Sequence, residues 1–437
     1  MPGPISSPYE GHVFGSEGIE AYYHSNSKNY YMLNRSDRYI ALSDVSLKRE
    51  MKVRGMQSKK TKDELVSEIE QYISNLANDK DITYAGPIAG YKRGFYQEDN
   101  RRFLVTESPV IIEPKEGEYY IIKTLINNLL GDAVPYFDAW LKLAYESLIV
   151  NERRHAHIMV IAGPHNCGKS LLQKIITKVL GGRAARPYQY MRGGTPFNAD
   201  LFGAEHLMLE DEVPSTHLKD RREFGAALKS FAVNEDQRCH AKGQTPFMVT
   251  PFWRVTISLN DEPENLMVLP PLEDNLGDKL TLLRAIKCEM PMPSGTMTER
   301  KAFWAQIEKE IPAYLNALVK WDLPEVMICP RFGCKNYHDP YIIEALHTLS
   351  PEERLLNLVE TEVYLPWEGH AIELERKLTD KESSVKREAE NLLHYNTACG
   401  QYLSRLARRK SGRVMQTKNI AGKAVWRITE PLEEDEL

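Results

Sequence analysis

Along the chain, apolar and polar positions fall into short continuous apolar runs separated by stretches with helical spacing. Ile158, Met159, Val160 and Ile161 form an apolar run of the length expected for a parallel strand buried on both faces. Leu171 to Leu180 follow it with apolar residues at helical spacing and stop at Gly181-Gly182, so the pattern predicts a strand, a loop and a helix in that order. Ala204 to Leu209 reads as a second buried strand and Trp253 to Leu259 as a third. Strands alternating with helices predict an α/β core over residues 155–300.

The flanks have different rhythms. Tyr30 to Leu33, Arg38 to Leu42, Phe103 to Val105 and Val110 to Ile112 read as strands, and Lys60 to Leu76 as a helix with Leu65, Ile69, Tyr72, Ile73 and Leu76 on one face. These elements predict a mixed α/β accessory domain over residues 1–118. A helical pair punctuated by Pro135 covers 119–154, and a helical extension over 301–379 carries helices at Thr298 to Trp321 and Pro340 to Val363. Over 380–429, helices at Lys381 to Leu393 and Thr397 to Arg409 precede strands at Arg413 to Lys418 and Ala424 to Ile428 around Gly422. That is the outline of a winged helix. Residues 430–437 form an acidic tail, and no internal repeat is seen.

Composition narrows the class. With 42% hydrophobic and 27% charged residues, the chain has the make-up of a soluble globular protein. No apolar run approaches the ~20 residues of a membrane span, and the first residues lack the pattern of a secretory signal. Six cysteines at irregular spacing suggest a reducing cytoplasm rather than a disulfide framework. A net charge of −5 excludes a generally basic nucleic-acid coat, so any DNA contact must be local.

Candidate chemistry begins where the first strand ends. Gly163-Pro164-His165-Asn166-Cys167-Gly168-Lys169-Ser170 reads G-x-x-x-x-G-K-S, a phosphate-binding loop in its required strand and helix context. Glycines let backbone N–H groups turn toward phosphate oxygens at a helix N-terminus. Lys169 would reach the β- and γ-phosphates of ATP, and Ser170 would meet Mg²⁺. The second strand runs into Glu210-Asp211-Glu212. Asp211 is assigned to the metal and Glu212 to the attacking water, with Glu210 and Asp211 as the shifted alternative. Asn260 ends the third strand, where an uncharged amide can donate to a γ-phosphate and orient water.

The order of phosphate loop, acidic strand, Lys-led helix, basic hairpin and strand ending in Asn resembles the AAA+-like superfamily 3 helicases, in particular the primase-helicases of phages, plasmids and mobile elements. Phe197-Asn198 and Asp211-Glu212-Val213 recur in the same family, and the resemblance covers Gly163 to about Arg284. It implies an ATP hydrolase acting as a DNA helicase in replication, built as a hexameric ring with a P-loop AAA+-like core. In that family a hairpin grips single-stranded DNA in the ring channel, and the implied residues here are Arg238, His240 and Lys242. The family's interface arginine falls at Lys279, which supplies the charge but not the planar fork, so either Lys279 serves, or Arg284 next downstream does, or hydrolysis is slow. Single-stranded and forked DNA, a primase or replication protein, and the host cytoplasm are the implied partners and location. An ATP-switched replication initiator without processive unwinding is the alternative.

Further basic residues cluster on the winged-helix-like segment. Arg405, Arg408 and Arg409 would face a major groove and Lys423 would sit on the wing. Cys329, Cys334 and His338 lack an evident fourth zinc ligand and read as ordinary packing. No carboxylate cluster for primer synthesis is seen in residues 1–120.

Overall fold

The structure, a computed structural model, describes residues 19–62, 64–98, 101–150, 152, 154–210, 218–243, 245–270, 272, 274–348, 350–394, 396–420 and 422–430. It divides into two compact units, Met1–Asn260 with Val268–Asp339 and Asp261–Met267 with Pro340–Leu437.

In the first unit, the continuous apolar run folds as β1 (Ile158–Ala162), buried at every position. β2 (Ala184–Ala185), β3 (His206–Glu210), β4 (Arg254–Leu259) and β5 (Leu280–Arg284) complete a five-stranded sheet in the order β5-β1-β4-β3-β2. Every pairing is parallel. Parallel strands need crossovers, and α1 (Lys169–Val179) and α2 (Leu218–Val233) supply those after β1 and β3. Because β4 lies between β1 and β3, the chain reverses its direction of filling there. Such a switch leaves a crevice at the carboxyl ends of the strands.

The expected helical pair is Tyr120–Leu130 and Val134–Ile149. Pro135 stands in the first turn of the second helix, where its missing N–H has no intrahelical role. Both helices pack with Met297–Lys320 and α1 in one apolar core that includes Leu129, Phe137, Leu141, Leu172, Ile176 and Ile311. Buried polar groups finish the helix ends. Glu310 accepts from the Ile122 N–H at 3.0 Å, and the Lys142 ammonium donates to the carbonyls of Leu318 and Val319 at 3.1 and 2.7 Å.

Toward the N-terminus, a four-stranded sheet (Ala21–His24, Asn29–Leu33, Tyr39–Leu42, Asp81–Ile82) and a three-stranded sheet (Tyr84–Gly86, Gly94–Glu98, Arg101–Val105) share aromatic packing, with Tyr22 stacked on Phe95 at 5.3 Å. Two sequence expectations change here. The helix starts at Glu68, because Ser67 and Glu70 form a capping box, and this leaves Leu65 94% exposed rather than on the apolar face. Val110 to Ile112 is not a strand. It lies between Pro109 and Pro114 and makes isolated contacts, the Val110 N–H to the Gly181 carbonyl at 3.1 Å and the Ile112 carbonyl to the Tyr145 hydroxyl.

The second unit holds helices Pro340–Thr348, Pro351–Glu362, Ala371–Leu378, Lys386–Leu392 and Ala398–Arg409. The single helix expected over Pro340 to Val363 is two, because Ser350 caps the Glu353 N–H and Pro351 opens a new first turn. Val414–Ile420 and Lys423–Ile428 pair as the expected hairpin, with Gly422 at φ +78° in its turn. Trp367–His370, not foreseen from the sequence, adds antiparallel to Lys423–Ile428. Leu355, Leu374, Leu403, Leu406, Val414 and Ile428 form the buried centre of this unit. Among the described residues, no helix is long and apolar enough to cross a membrane.

Candidate functional site

The Gly163–Ser170 loop leaves β1 at the carboxyl edge of the sheet and enters α1. A Cβ on Gly163 would stand 2.1 Å from the Ala285 carbonyl oxygen, so the close approach of the two chains beyond β1 and β5 requires glycine. Asn166 at φ +59° and Gly168 at φ +119° take left-handed conformations that turn the loop into the helix. His165, Asn166 and Ser170 are exposed, Pro164 and Gly168 half-buried, and Cys167 is buried beneath the loop.

Lys169 is 6% exposed, and its ammonium sits in the mouth of the loop. It donates to the carbonyls of Gly163 at 2.7 Å and Pro164 at 2.8 Å, and to Asn260 Oδ1 at 3.1 Å. Asn260 follows β4, whose Leu259 pairs with Ala162 of β1. The structure therefore brings Lys169 and Asn260, 91 positions apart, to one point. Three neutral oxygens hold a cation there, and an anion with stronger acceptors can replace them.

Glu210 ends β3 and pairs with the exposed Arg186 guanidinium at 2.5 Å. Asp211 and Glu212 lie outside the described residues. Lys279 lies at the opposite edge, where the strands begin. It precedes Leu280, the register partner of Ile158, and its carbonyl accepts from the Ile158 N–H at 2.9 Å. Its ammonium is bound to Asp278 at 2.7 Å, and Asp278 also holds Arg331 at 3.0 Å. Arg284 instead pairs in register with Ala162, on the loop side of the sheet.

Beneath the loop lies a polar network that the sequence reading passed over. Gln173, fully buried on α1, donates to the Leu209 carbonyl of β3 at 3.3 Å and to the Thr256 hydroxyl of β4 at 2.8 Å. The Thr256 hydroxyl also meets His206 Nε2 at 2.8 Å, and His206 Nδ1 meets the Thr177 hydroxyl at 2.7 Å. Thr177 donates to the Gln173 carbonyl at 3.0 Å, so the pattern closes with the imidazole proton on Nδ1. Burial pushes the His206 pKa down to about 3, which keeps the ring neutral. One signal was legible: Gln173 and Thr177 are polar residues four apart on an otherwise apolar helix face.

The basic hairpin pairs Gln237–Cys239 with Phe247–Val249, and Gly243 turns at φ +76° near its tip. It precedes β4, so it grows from the edge where the strands begin. Arg238 and Lys242 are exposed and His240 is half-buried. Phe247 packs against Tyr84 at 4.8 Å, and Arg101 donates to the Met248 carbonyl at 2.7 Å, so the N-terminal three-stranded sheet braces one side.

In the second unit, Arg405 pairs with the buried Glu352 at 2.9 Å, whereas Arg408, Arg409 and Lys423 are exposed. Among the described residues, no group of three His, Cys, Asp or Glu side chains could hold a metal ion.

The apo structure of the NrS-1 C-terminal region in its A form superposes with a TM-score of 0.53 at 15% identity, covering 94% of this chain and 96% of that one. The chain shares the fold of that region. A second apo structure of the NrS-1 C-terminal region, residues 305–718, gives 0.53 at 13% identity with the same coverage. The SCCmec type IV Cch active helicase overlaps 90% of this chain and 73% of its own at 10% identity, with a TM-score of 0.32. Residues 161–274 match a family of unknown function, DUF5906. None of the curated proteins matches the chain. The NrS-1 likeness is one of fold.

Proposed function

We propose that this chain is an ATP-driven DNA helicase of the superfamily 3, AAA+-like type, serving replication of a phage or mobile element in the host cytoplasm. The observation that carries the reading is the seat of Lys169: a buried ammonium at the mouth of a G-x-x-x-x-G-K-S loop, shared with Asn260 from the neighbouring strand tip. ATP phosphates would take the place of those oxygen acceptors. Gly163 to Ser170 would supply backbone N–H groups and Lys169 the charge. Mg²⁺, when bound, would neutralise charge on the β- and γ-phosphates. The Ser170 hydroxyl is exposed at the start of α1 and fits that role, with Asp211 as its proposed carboxylate partner.

Asn260 would orient the attacking water and sense the γ-phosphate, and Glu212 would accept the water's proton. Arg238, His240 and Lys242 would follow the backbone of single-stranded or forked DNA without reading bases. Copies arranged head to tail in a hexameric ring would each complete a neighbour's site through Lys279 or Arg284. Arg408, Arg409 and Lys423, on a winged-helix-like unit, would add duplex contacts, and a primase or replication protein would load the ring.

The test is strand displacement on a forked duplex, with Lys169→Ala beside the parent protein. Loss of both unwinding and DNA-stimulated ATP hydrolysis is expected, and retention of either in the variant refutes the assignment. One observation favours a second reading. Asp278 holds Lys279, so a finger at that position starts out engaged, as suits an initiator that binds ATP to assemble. Glu212→Gln separates the two, because a switch keeps assembly and DNA binding in that variant while a motor loses unwinding.

A further inference from the structure

We infer that Asn198 is a positioning residue that clasps the outer edge of the basic hairpin and holds Arg238 and Lys242 at a fixed angle to the sheet; the inference rests on the DNA-motor reading above. The strand Gln237–Cys239 has one edge on Phe247–Val249. On its other edge the Arg238 carbonyl and both backbone groups of His240 face away from that partner, and Asn198 satisfies all three. Its amide Nδ2 donates to the Arg238 carbonyl at 2.8 Å, and its Oδ1 accepts from the His240 N–H at 2.8 Å. Its own backbone N–H donates to the His240 carbonyl at 3.1 Å. The side chain thus acts as one peptide unit of a missing third strand.

The surroundings fix the clasp. Asn198 is 2% exposed and lies beside Tyr190, whose ring stacks on Phe231 of α2 at 6.4 Å. Phe197 meets the His240 ring edge to face at 5.0 Å. A two-stranded hairpin with three residues on each side has little stability of its own. A contact element that transmits force must be held by its supporting shell. Only an amide offers donor and acceptor together at peptide spacing, which is why Asp or Ala cannot replace it.

The experiment measures basal and DNA-stimulated ATP hydrolysis of the full chain, together with hydrogen exchange at the His240 amide, for Asn198→Ala, Asn198→Asp and Arg238→Ala. Asn198→Ala removes both side-chain hydrogen bonds, so the DNA-stimulated component should fall about tenfold or more, and His240 exchange, which loses one of the two, should speed up about tenfold. Basal hydrolysis should stay at the parent rate. Asn198→Asp should also lose DNA stimulation, since it keeps the acceptor for His240 but places a carboxylate against the Arg238 carbonyl. Arg238→Ala should lose DNA stimulation with His240 still protected. Basal and stimulated rates falling in equal proportion, or parent-like exchange at His240 in Asn198→Ala, would overturn the clasp. If the parent protein hydrolyses ATP without responding to DNA, the motor reading fails and the positioning role falls with it, while the exchange result still judges the hydrogen bonds.

Discussion

The Lys169 ammonium donates to Asn260 Oδ1 at 3.1 Å, tying the helix after β1 to the tip of β4. An amide oxygen yields a lysine to phosphate easily, and a carboxylate does not. Asn260→Asp should therefore hold Lys169 as an ion pair and weaken ATP binding by about tenfold or more, the factor that corresponds to 1.4 kcal/mol. Asn260→Ala should leave binding near the parent value and lower the hydrolysis rate by about 100-fold, as the loss of one oriented polar group does. Nucleotide titration beside steady-state rates checks both, and equal affinities for Asn260→Asp and Asn260→Ala would contradict the argument.

Gly163→Ala places a methyl against the Ala285 carbonyl oxygen. The chains beyond β1 and β5 must then part, at a cost of about 1–3 kcal/mol, typical of overpacking. Urea unfolding should show a lower midpoint, and nucleotide affinity should fall with it because the loop starts at this residue.

His206 carries a pH signature. Its pKa is ordinarily near 6.5 and falls to about 3 in the folded chain, so below pH 6.5 the unfolded state takes up a proton that the folded state refuses. Its contribution to stability is therefore complete above about pH 6.5 and is lost as pH falls toward 3, with a slope of up to about 1.4 kcal/mol per pH unit. His157, pushed down to about 4 by burial, acts in the same direction. Asp138, raised to about 6 by burial, acts in the opposite one. His206→Gln isolates the contribution of this imidazole. Its unfolding free energy should be lower at neutral pH yet fall less steeply between pH 6 and 4 by about one proton's worth.

Lys242 is exposed at the hairpin turn. Lys242→Ala should weaken binding to single-stranded DNA of any sequence and reduce the logarithmic salt slope by about 0.7, the value for one phosphate on a single strand. Fluorescence anisotropy over a salt series measures it, and an unchanged slope would remove Lys242 from the DNA path.

Arg405 and Arg408 should behave differently although both stand on the helix Ala398–Arg409. Arg405→Ala leaves the 5%-exposed Glu352 carboxylate without its guanidinium and should destabilise the second unit by about 1–3 kcal/mol. Arg408→Ala should leave thermal stability unchanged and reduce affinity for duplex DNA.

The core was legible because its signals are local. Ile158 to Ile161 spells a buried strand without help from the rest of the chain, and the spacing from Gly163 to Ser170 allows few other readings. The helix after Ser67 starts later than the apolar period suggests, because Leu65 fits that period whereas the capping box decides the start. β2, two residues long, has no period to detect. Asn198 is unreadable for another reason: its partner Arg238 lies 40 positions away, and nothing adjacent in sequence marks it as buried, whereas Gln173 shows as a polar residue on an apolar helix face but its partner Thr256, 83 positions away, does not. The position of Lys279 could be read, but not the Asp278 contact that restrains it.

The loop opens at one end of the parallel strands and the hairpin springs from the other, with the six residues of β4 spanning the distance. A six-residue strand is about 20 Å long. In the proposed motor, what the loop feels would be conveyed as displacement of a stiff plate, as through a connecting rod, because no side chain is long enough to bridge the gap. Softening the middle of that rod, at Thr256 or His206, should let fuel burn at the usual rate while the far end idles.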